Sequence, residues 1–286
     1  METSVTHNFE VAPPLVSICI PTFNGANTIA MTLESVINQT FSNYEVIISD
    51  DCSTDETLSI VNYFRDSRIR VLDQVPRTTV AANWNRCIDA ALGKYVKLMG
   101  QDDILMSECL HEEIETFNSY SDNQLSFCFS KRNIISKSNQ LLIASRGLTL
   151  ETPIVQIRQI LPKVIRSGSN PFGEPVAVLM NHEMLKKAGE FAGDYLIDLD
   201  MWLRLLTIAP AVSTQKTLMA FRVGANSWSH NLRSTQAHDT VQLHNKISHQ
   251  FPNCVSLKDV IVGYFMAHLM QFSRPLVINV VGKLRR

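Results

Sequence analysis

The feature that most constrains this chain is an alternation. Over its first hundred residues, short β-branched apolar runs take turns with segments of helical period. Val16–Ile20 is the first run and closes at Pro21. Ile29, Leu33, Val36 and Ile37 then recur on one face of a helix. Tyr44–Ser49 reads as a second strand, followed by Ser53-Thr54-Asp55-Glu56, where Glu three after Ser is a capping-box start. Leu58, Val61 and Phe64 give that helix its apolar side, and Ile69–Leu72 is a third strand. Val80, Trp84, Cys87, Ile88 and Ala91 are again helix-spaced, with Gly93 as the stop, before a fourth strand at Tyr95–Met99.

This order predicts an α/β fold: a Rossmann-like, mostly parallel central sheet flanked by helices, with right-handed crossovers. The loops after parallel strands open at one edge of such a sheet, where ligands bind. Those loops carry Pro21-Thr22-Phe23-Asn24, Asp50-Asp51 and Gln101-Asp102-Asp103. The second half is less regular. Leu125–Ser130 and Leu141–Ala144 read as strands around a turn at Lys137–Asn139. Pro153 suits the first turn of a helix whose far end Pro162 disturbs. Val176–Met180 and Thr217–Val223 read as strands, Asp198–Leu206 as a helix, and the chain from about Asn231 onward as a C-terminal helical extension.

Composition narrows the class of protein. Of 286 residues, 45% are apolar and 19% charged, which suits a globular chain with a substantial core. Lys plus Arg number 26 against 27 Asp plus Glu, a formal charge of −1. This is no polycation for nucleic acid. The cysteines Cys19, Cys52, Cys87, Cys109, Cys128 and Cys254 form no C-x-x-C, and the first dozen residues lack an apolar leader. Both features suit reduced thiols in a cytoplasmic protein. The longest apolar candidate, Val260–Phe272, contains His268 and is too short to span a bilayer.

Three acidic clusters are placed to do chemistry. In extended backbone the side chains of Asp102 and Asp103 point to opposite sides, so one could hold a divalent cation while the other faces a sugar hydroxyl. The plainer alternative is a solvated turn. Asp50-Asp51 could accept hydrogen bonds from a base imide or a ribose, or cap the helix near Ser53. Asp198 and Asp200 open the helix at Ile197. Asp200 and Arg204 are four apart and expected to pair. Asp198 is freer to act as a base, though the helix dipole also favours a carboxylate there. There is neither a G-x-G-x-x-G nor a G-x-x-x-x-G-K-[ST]. The eight histidines show no metal pattern, and His230 alone is kept as a further ligand candidate.

Taken in order, Val16-Ser17-Ile18-Cys19-Ile20-Pro21-Thr22-Phe23-Asn24, Gln39-Thr40-Phe41, Ile48 to Thr57, Asn85 to Val96 and Gln101-Asp102-Asp103 resemble the family 2 glycosyltransferases. So does the block from Gly173-Glu174-Pro175 to Gly189, followed by Asp198-x-Asp200-x-Trp202-x-Arg204. The resemblance runs from about Leu15 to His230 and implies a GT-A fold. It implies a domain over 15–230, after a tail at 1–14, with a nucleotide-binding half at 15–104 and an acceptor-side half at 105–230. The helical extension then occupies 231–286.

The resemblance also implies roles. Pro21, Phe23 and Asn24 line the nucleotide pocket, Asp51 contacts the base, Asn85 shapes the donor site and Asp102 faces the ribose. Asp103 binds a Mn²⁺ or Mg²⁺ ion bridging the diphosphate, and Asp198 is the catalytic base. Ile197 stands where the family has Glu, which leaves the choice between Asp198 and Asp200 open. Gly224 stands where a histidine ligand is common. The implied activity is inverting transfer from a nucleotide-sugar donor, UDP-linked, to a glycan or lipid-linked acceptor in surface polysaccharide or lipopolysaccharide synthesis. A catalytically inactive sugar-nucleotide-binding module is the main alternative. A sugar-1-phosphate nucleotidyltransferase is disfavoured because Pro21–Asn27 holds no basic residue. The apolar run Leu276–Val281, with Lys283, Arg285 and Arg286 after it, suits peripheral contact with the inner face of a membrane.

Overall fold

A computed structural model describes residues 12–120, 124–223 and 235–284. The first hundred residues follow the alternation: β1 (Val16–Thr22), α1 (Ile29–Ile37), β2 (Tyr44–Asp50), α2 (Thr57–Tyr63), β3 (Ile69–Val71), α3 (Val80–Asp89) and β4 (Tyr95–Leu98). It continues through β5 (Ile104–Leu105), α4 (Cys109–Ser119), β6 (Phe127–Ile135), β7 (Leu141–Arg146), β8 (Ile154–Val155) and α5 (Ile157–Ser167). A 3₁₀ turn at Pro175–Ala177 leads to β9 (Val178–Asn181), α6 (His182–Ala188), α7 (Ile197–Ile208) and β10 (Ala211–Arg222). The last helices are α8 (Gln236–Gln250) and α9 (Leu257–Leu284).

The described strands form one ten-stranded sheet in the order β3-β2-β1-β4-β9-β6-β10-β5, with β7 on β6 and β8 on β10. β3, β2, β1 and β4 are mutually parallel, β9 is antiparallel to both β4 and β6, and β6 is parallel to β10. β6 and β10 therefore run with the first four strands, and the sheet is mostly parallel. Alternate side chains feed two cores, as the two-residue strand period requires. Ile18, Ile20, Val46 and Ile48 pack with Leu33 and Leu110 on one face. Cys19 and Ile47 join Cys87, Leu161 and Trp202 on the other.

Several local readings change. β1 runs through Pro21 to Thr22, because its β4 pairing stops at Cys19 and Pro21 meets only Ser49 of β2. The Ser53/Glu56 box does not form: α2 starts at Thr57, and the Ser53 hydroxyl donates to Asp50 (2.6 Å) instead. Gly93 lies beyond the end of α3, and a Cβ there would come within 2.6 Å of the Ser17 amide nitrogen. It is a close-approach residue rather than a helix stop. Pro153 precedes β8, and Pro162 sits inside α5, which the buried Ile160, Leu161, Val164 and Ile165 carry past the missing N–H. The expected strand at Val176 is a 3₁₀ turn until Val178, and the last strand begins at Ala211 rather than Thr217.

One core contact had no counterpart in the pattern. Lys97 of β4 donates to both oxygens of Glu113 of α4 (3.0 and 2.8 Å), and both side chains are 0% exposed. The six thiols are free. At the far side, Gly168 ends α5 in the left-handed region (φ 58°). A Cβ there would meet the backbone of Met266 and Ala267 at 2.4 Å, so α9 lies directly on that turn.

Candidate active site

The C-terminal ends of β1, β2, β4 and β10 lie at the same edge of the sheet, and the antiparallel β9 begins there. Each contributes a polar group. At the end of β1, Phe23 is fixed to the turn after β4: its amide donates to Gln101 Oε1 (2.9 Å), and Gln101 Nε2 donates to its carbonyl (2.8 Å). Asn24 is exposed with φ 49°, its amide donating to Ser53 Oγ (2.9 Å) and its Oδ1 accepting from the Thr54 amide (2.8 Å).

The end of β2 splits two neighbouring carboxylates between tasks. Asp50 is structural: it accepts from Thr22 Oγ1 (3.0 Å) and from the Ser53 amide (2.9 Å) and hydroxyl. Asp51 accepts from the Thr78 amide (2.7 Å), with Arg77 Nε 3.9 Å from its other oxygen. The Arg77 guanidinium lies 4.0 Å from the centroid of the Phe23 ring. Phe23, Asp51 and Arg77 thus form one aromatic-and-charged corner. Arg77 was not legible in the sequence, because it sits in a loop without periodicity.

After β4 the backbone turns at Gln101–Asp102, so the expected opposition of the two carboxylates does not hold. Asp102 Oδ1 and Asp103 Oδ2 would both lie within about 3 Å of a Cβ on Gly100 (2.9 and 3.0 Å). The turn is locked from β10. The Arg222 amide donates to Asp103 Oδ1 (3.3 Å) and its Nε to the Asp102 carbonyl (2.9 Å), while Nη1 reaches Ser136 O (3.0 Å) and Asn139 Oδ1 (2.5 Å). The Gly100 amide donates to Asp103 Oδ2 (3.1 Å). Burial raises the Asp102 carboxyl above the ordinary range, against the pull of Arg222. Burial followed by the neighbouring Asp102 charge pushes Asp103 well above it.

The cluster around Asp198 is built on a tight loop. Asn170 Oδ1 accepts from the Phe172 and Gly173 amides, and its Nδ2 donates to Asp198 Oδ2 and Gly173 O, both at 2.8 Å. The buried Trp202 Nε1 also donates to Gly173 O (3.1 Å). The next residue, Glu174, meets fully buried Arg132 at 2.5 Å, and this guanidinium outweighs burial to hold the Glu174 carboxyl below its usual value. Burial, then the Glu174 charge, lifts Asp198 to about 6. Glu174 also acts on Asp103 in the same direction, after burial and the Asp102 charge. Asp200 differs: its oxygens are taken by Arg204 Nε (2.8 Å), the expected pairing, and by Lys246 Nζ of α8 (3.0 Å).

Asn85 stands apart from the strand ends. Its side chain bonds the Phe191 carbonyl and amide (both 2.9 Å), fastening α3 to the loop before α7 beside a cleft of about 550 Å³ lined by Arg86, Asp89 and Asp194. His230 and Gly224 lie outside the described residues. Among the described residues, no group of three or more His, Cys, Asp or Glu side chains is placed to hold a metal. Two carboxylates crowded at Gly100 nevertheless fit a hard cation of the Mg²⁺ type, which takes one or two carboxylates and fills its shell with water and phosphate oxygens.

An open, mostly parallel sheet with acidic turns at the C-terminal edge of its strands belongs to the α/β folds that bind ligands at that edge. Residues 17–188 match the family model for glycosyl transferase family 2, well over half of the chain, and the chain belongs to that family. It is 32% identical over 125 residues to the Escherichia coli UDP-Glc:alpha-D-GlcNAc-diphosphoundecaprenol beta-1,3-glucosyltransferase WfgD, covering 44% of this chain and 48% of that one. The fold matches S. aureus TarS (residues 1–349) in complex with UDP-GlcNAc, with a TM-score of 0.62 at 19% identity, over 93% of this chain and 75% of that chain. It also matches the Pyrobaculum calidifontis mannosyltransferase PcManGT in complex with GDP-Man and Mn²⁺, with a TM-score of 0.61 at 16% identity, over 95% and 74%. The fold is GT-A. The chain spans about half the length of the curated relatives it matches, and less than two thirds of the first of them.

Proposed function

We propose that this family 2 glycosyltransferase moves a sugar, with inversion at the anomeric carbon, from a UDP-sugar to a hydroxyl of a glycan or lipid-linked acceptor. The setting is surface polysaccharide or lipopolysaccharide assembly at the cytoplasmic face of a membrane. The observation that carries the reading is the turn after β4, where the Asp102 and Asp103 carboxylates crowd at Gly100, together with Asp198 held by Asn170 on the loop that leads into β9 at the same sheet edge. It supplies a diphosphate-side carboxylate pair and a carboxylate whose pKa of about 6 suits a base. TarS, with UDP-GlcNAc, and WfgD, named for UDP-Glc and a diphosphoundecaprenol acceptor, support the UDP donor and the lipid-linked acceptor.

In this reading the nucleobase stacks at the Phe23–Arg77 corner and its imide donates to Asp51, with Pro21 and Asn24 framing the pocket, while Asn85 shapes the donor site from further off by fastening α3 to the loop at Phe191. Asp102 takes the ribose hydroxyls. Asp103 holds Mn²⁺ or Mg²⁺, which when bound neutralises the charge building on the departing diphosphate. The Asn170 amide fixes Asp198 Oδ2, leaving the carboxylate to accept the proton of the incoming hydroxyl as its oxygen attacks the anomeric carbon. The C–O bond to the diphosphate breaks on the opposite face. Asp200 keeps its two cations and positions α7 against α8. With one base and no carboxylate nucleophile in this reading, the product configuration is inverted.

A thermal-shift screen of nucleotide sugars with and without Mn²⁺ tests the donor, because a ligand of the folded state raises the melting temperature by mass action. The expected result is a largest, cation-dependent shift with a UDP-sugar. Asp103→Ala and Asp198→Ala each lose transfer, and Asp198→Ala keeps the UDP shift. A product with retained anomeric configuration by NMR overturns the displacement.

A further inference from the structure

Helix α9 is apolar on two sides. One packs on α5 and α8 through buried Gly263 and Ala267. The other faces outward. Leu257, Ile261, Tyr264, Phe265, Leu269 and Phe272 fall on one helical face and are all exposed, Phe265 by 66% and Phe272 by 63%. At 1.5 Å per residue the stripe runs about 22 Å. The half-buried His268 lies within this face against Tyr264, and an exposed patch of so many large apolar side chains marks an interaction surface.

The charges on and beside the stripe say what covers it, beginning with the exposed Lys258 at its first turn. The neighbouring α5 carries Arg158, Lys163 and Arg166 on its exposed face and has no acidic residue. Arg166 is 3.3 Å from Asp259 of α9. The sequence past Phe272 adds Arg274, Lys283, Arg285 and Arg286 to a run that is otherwise apolar or uncharged. A second copy of the chain is a poor fit, because a two-fold interface sets each patch against itself and brings these cations face to face. Anionic headgroups complement them. The stripe is also close to the acceptor side of the site. Gly168 rests on α9, and Asn170, two residues on, holds Asp198. Lys246 of α8 holds Asp200.

We propose that α9 lies in the plane of an anionic lipid surface, its outer apolar stripe inserted and the α5 cations on the headgroups, presenting the Asp198 side of the enzyme to lipid-borne acceptors. The orientation rests on the function proposed above, whereas the docking surface does not.

The test is co-sedimentation of the full chain with phosphatidylcholine vesicles, with and without phosphatidylglycerol. Binding to the anionic vesicles is expected, weakening as salt rises. A variant carrying I261S, F265S and F272S is expected to bind at least about tenfold more weakly. All three side chains are exposed, so the variant is expected to fold and to keep the parental melting shift with UDP and Mn²⁺. The pair R158E and K163E is expected to lose the preference for anionic vesicles. Three results overturn the proposal: no binding by the parent at low salt, equal binding by the triple variant, or a parental dimer by light scattering that the triple variant dissociates. A chain that binds vesicles but shows no UDP shift supports the surface and overturns the UDP-donor reading.

Discussion

Asp198 answers to two opposed demands. A carboxylate gains basicity where water is scarce, and the same scarcity makes its charge costly to keep. Its folded-state pKa of about 6 lies above the ordinary Asp value of about 3.9. The folded state therefore holds the proton more tightly between these values, and stability falls as pH rises through that window, levelling off above about 6. Asp198→Asn removes the penalty. The expected outcome is transfer reduced by about 10²–10⁴-fold together with a melting temperature at pH 8 higher by roughly 2–4 °C. That gain disappears near pH 4, as calorimetry across pH checks. In the parent, transfer is expected to decline below pH 6. Arg77→Ala removes the cation over Phe23, worth about 0.5–1 kcal/mol, and is expected to raise the KM for the UDP-sugar about two- to fivefold without lowering kcat. The positions of Asp51 and Asp103 at strand ends and of Asp198 at a helix start were legible because acidic residues beside apolar runs are conspicuous. Arg77, Arg132 and the bridging of Gln101 had no such signal, and Glu174 stood only as part of the family-like block, because each acts through a partner distant in sequence.

Among the elements, β4 and β10 contribute most to the geometry of the site. Lys97 projects from β4 into Glu113, and breaking a buried pair leaves a bare charge behind, at a cost of about 3–5 kcal/mol. Glu113→Ala is thus expected to lower the urea midpoint sharply, and the double change Lys97→Met with Glu113→Leu to recover most of the loss. β10 ends on Arg222, which spans the Asp102 turn and the β6–β7 turn. Arg222→Lys keeps the charge but cannot serve these directions together. Its expected effect is a smaller UDP-plus-Mn²⁺ melting shift, with unfolding at lower denaturant. The first four strands and three helices were readable because each has one period and a local partner. The second half was less so. β9 and β10 are held by antiparallel and bulged pairings to strands far away in the chain, and their bounds reflect those partners more than their own residues. β5 and β8 are two-residue strands, too short to show a period.

At the scale of the molecule, the α/β class and the parallel edge followed from the alternation, since right-handed crossovers bring successive strand ends together. The outward stripe of α9 did not, because an apolar helix reads alike whether it meets protein or lipid. The insertion of β9 has a further consequence. Hydrogen-bonded on one side to β4 and on the other to β6, it splices the first four strands to β6 and β10 in one continuous ladder. The halves of such a sheet have no hinge between them and cannot close as a clamshell. Enclosure of the donor then falls to surface turns, and amide hydrogen exchange on adding UDP is expected to slow at 77–79 and 101–103 while β4, β9 and β6 stay unchanged. Sugar selectivity in such an enzyme evolves by exchanging loops on a fixed anvil.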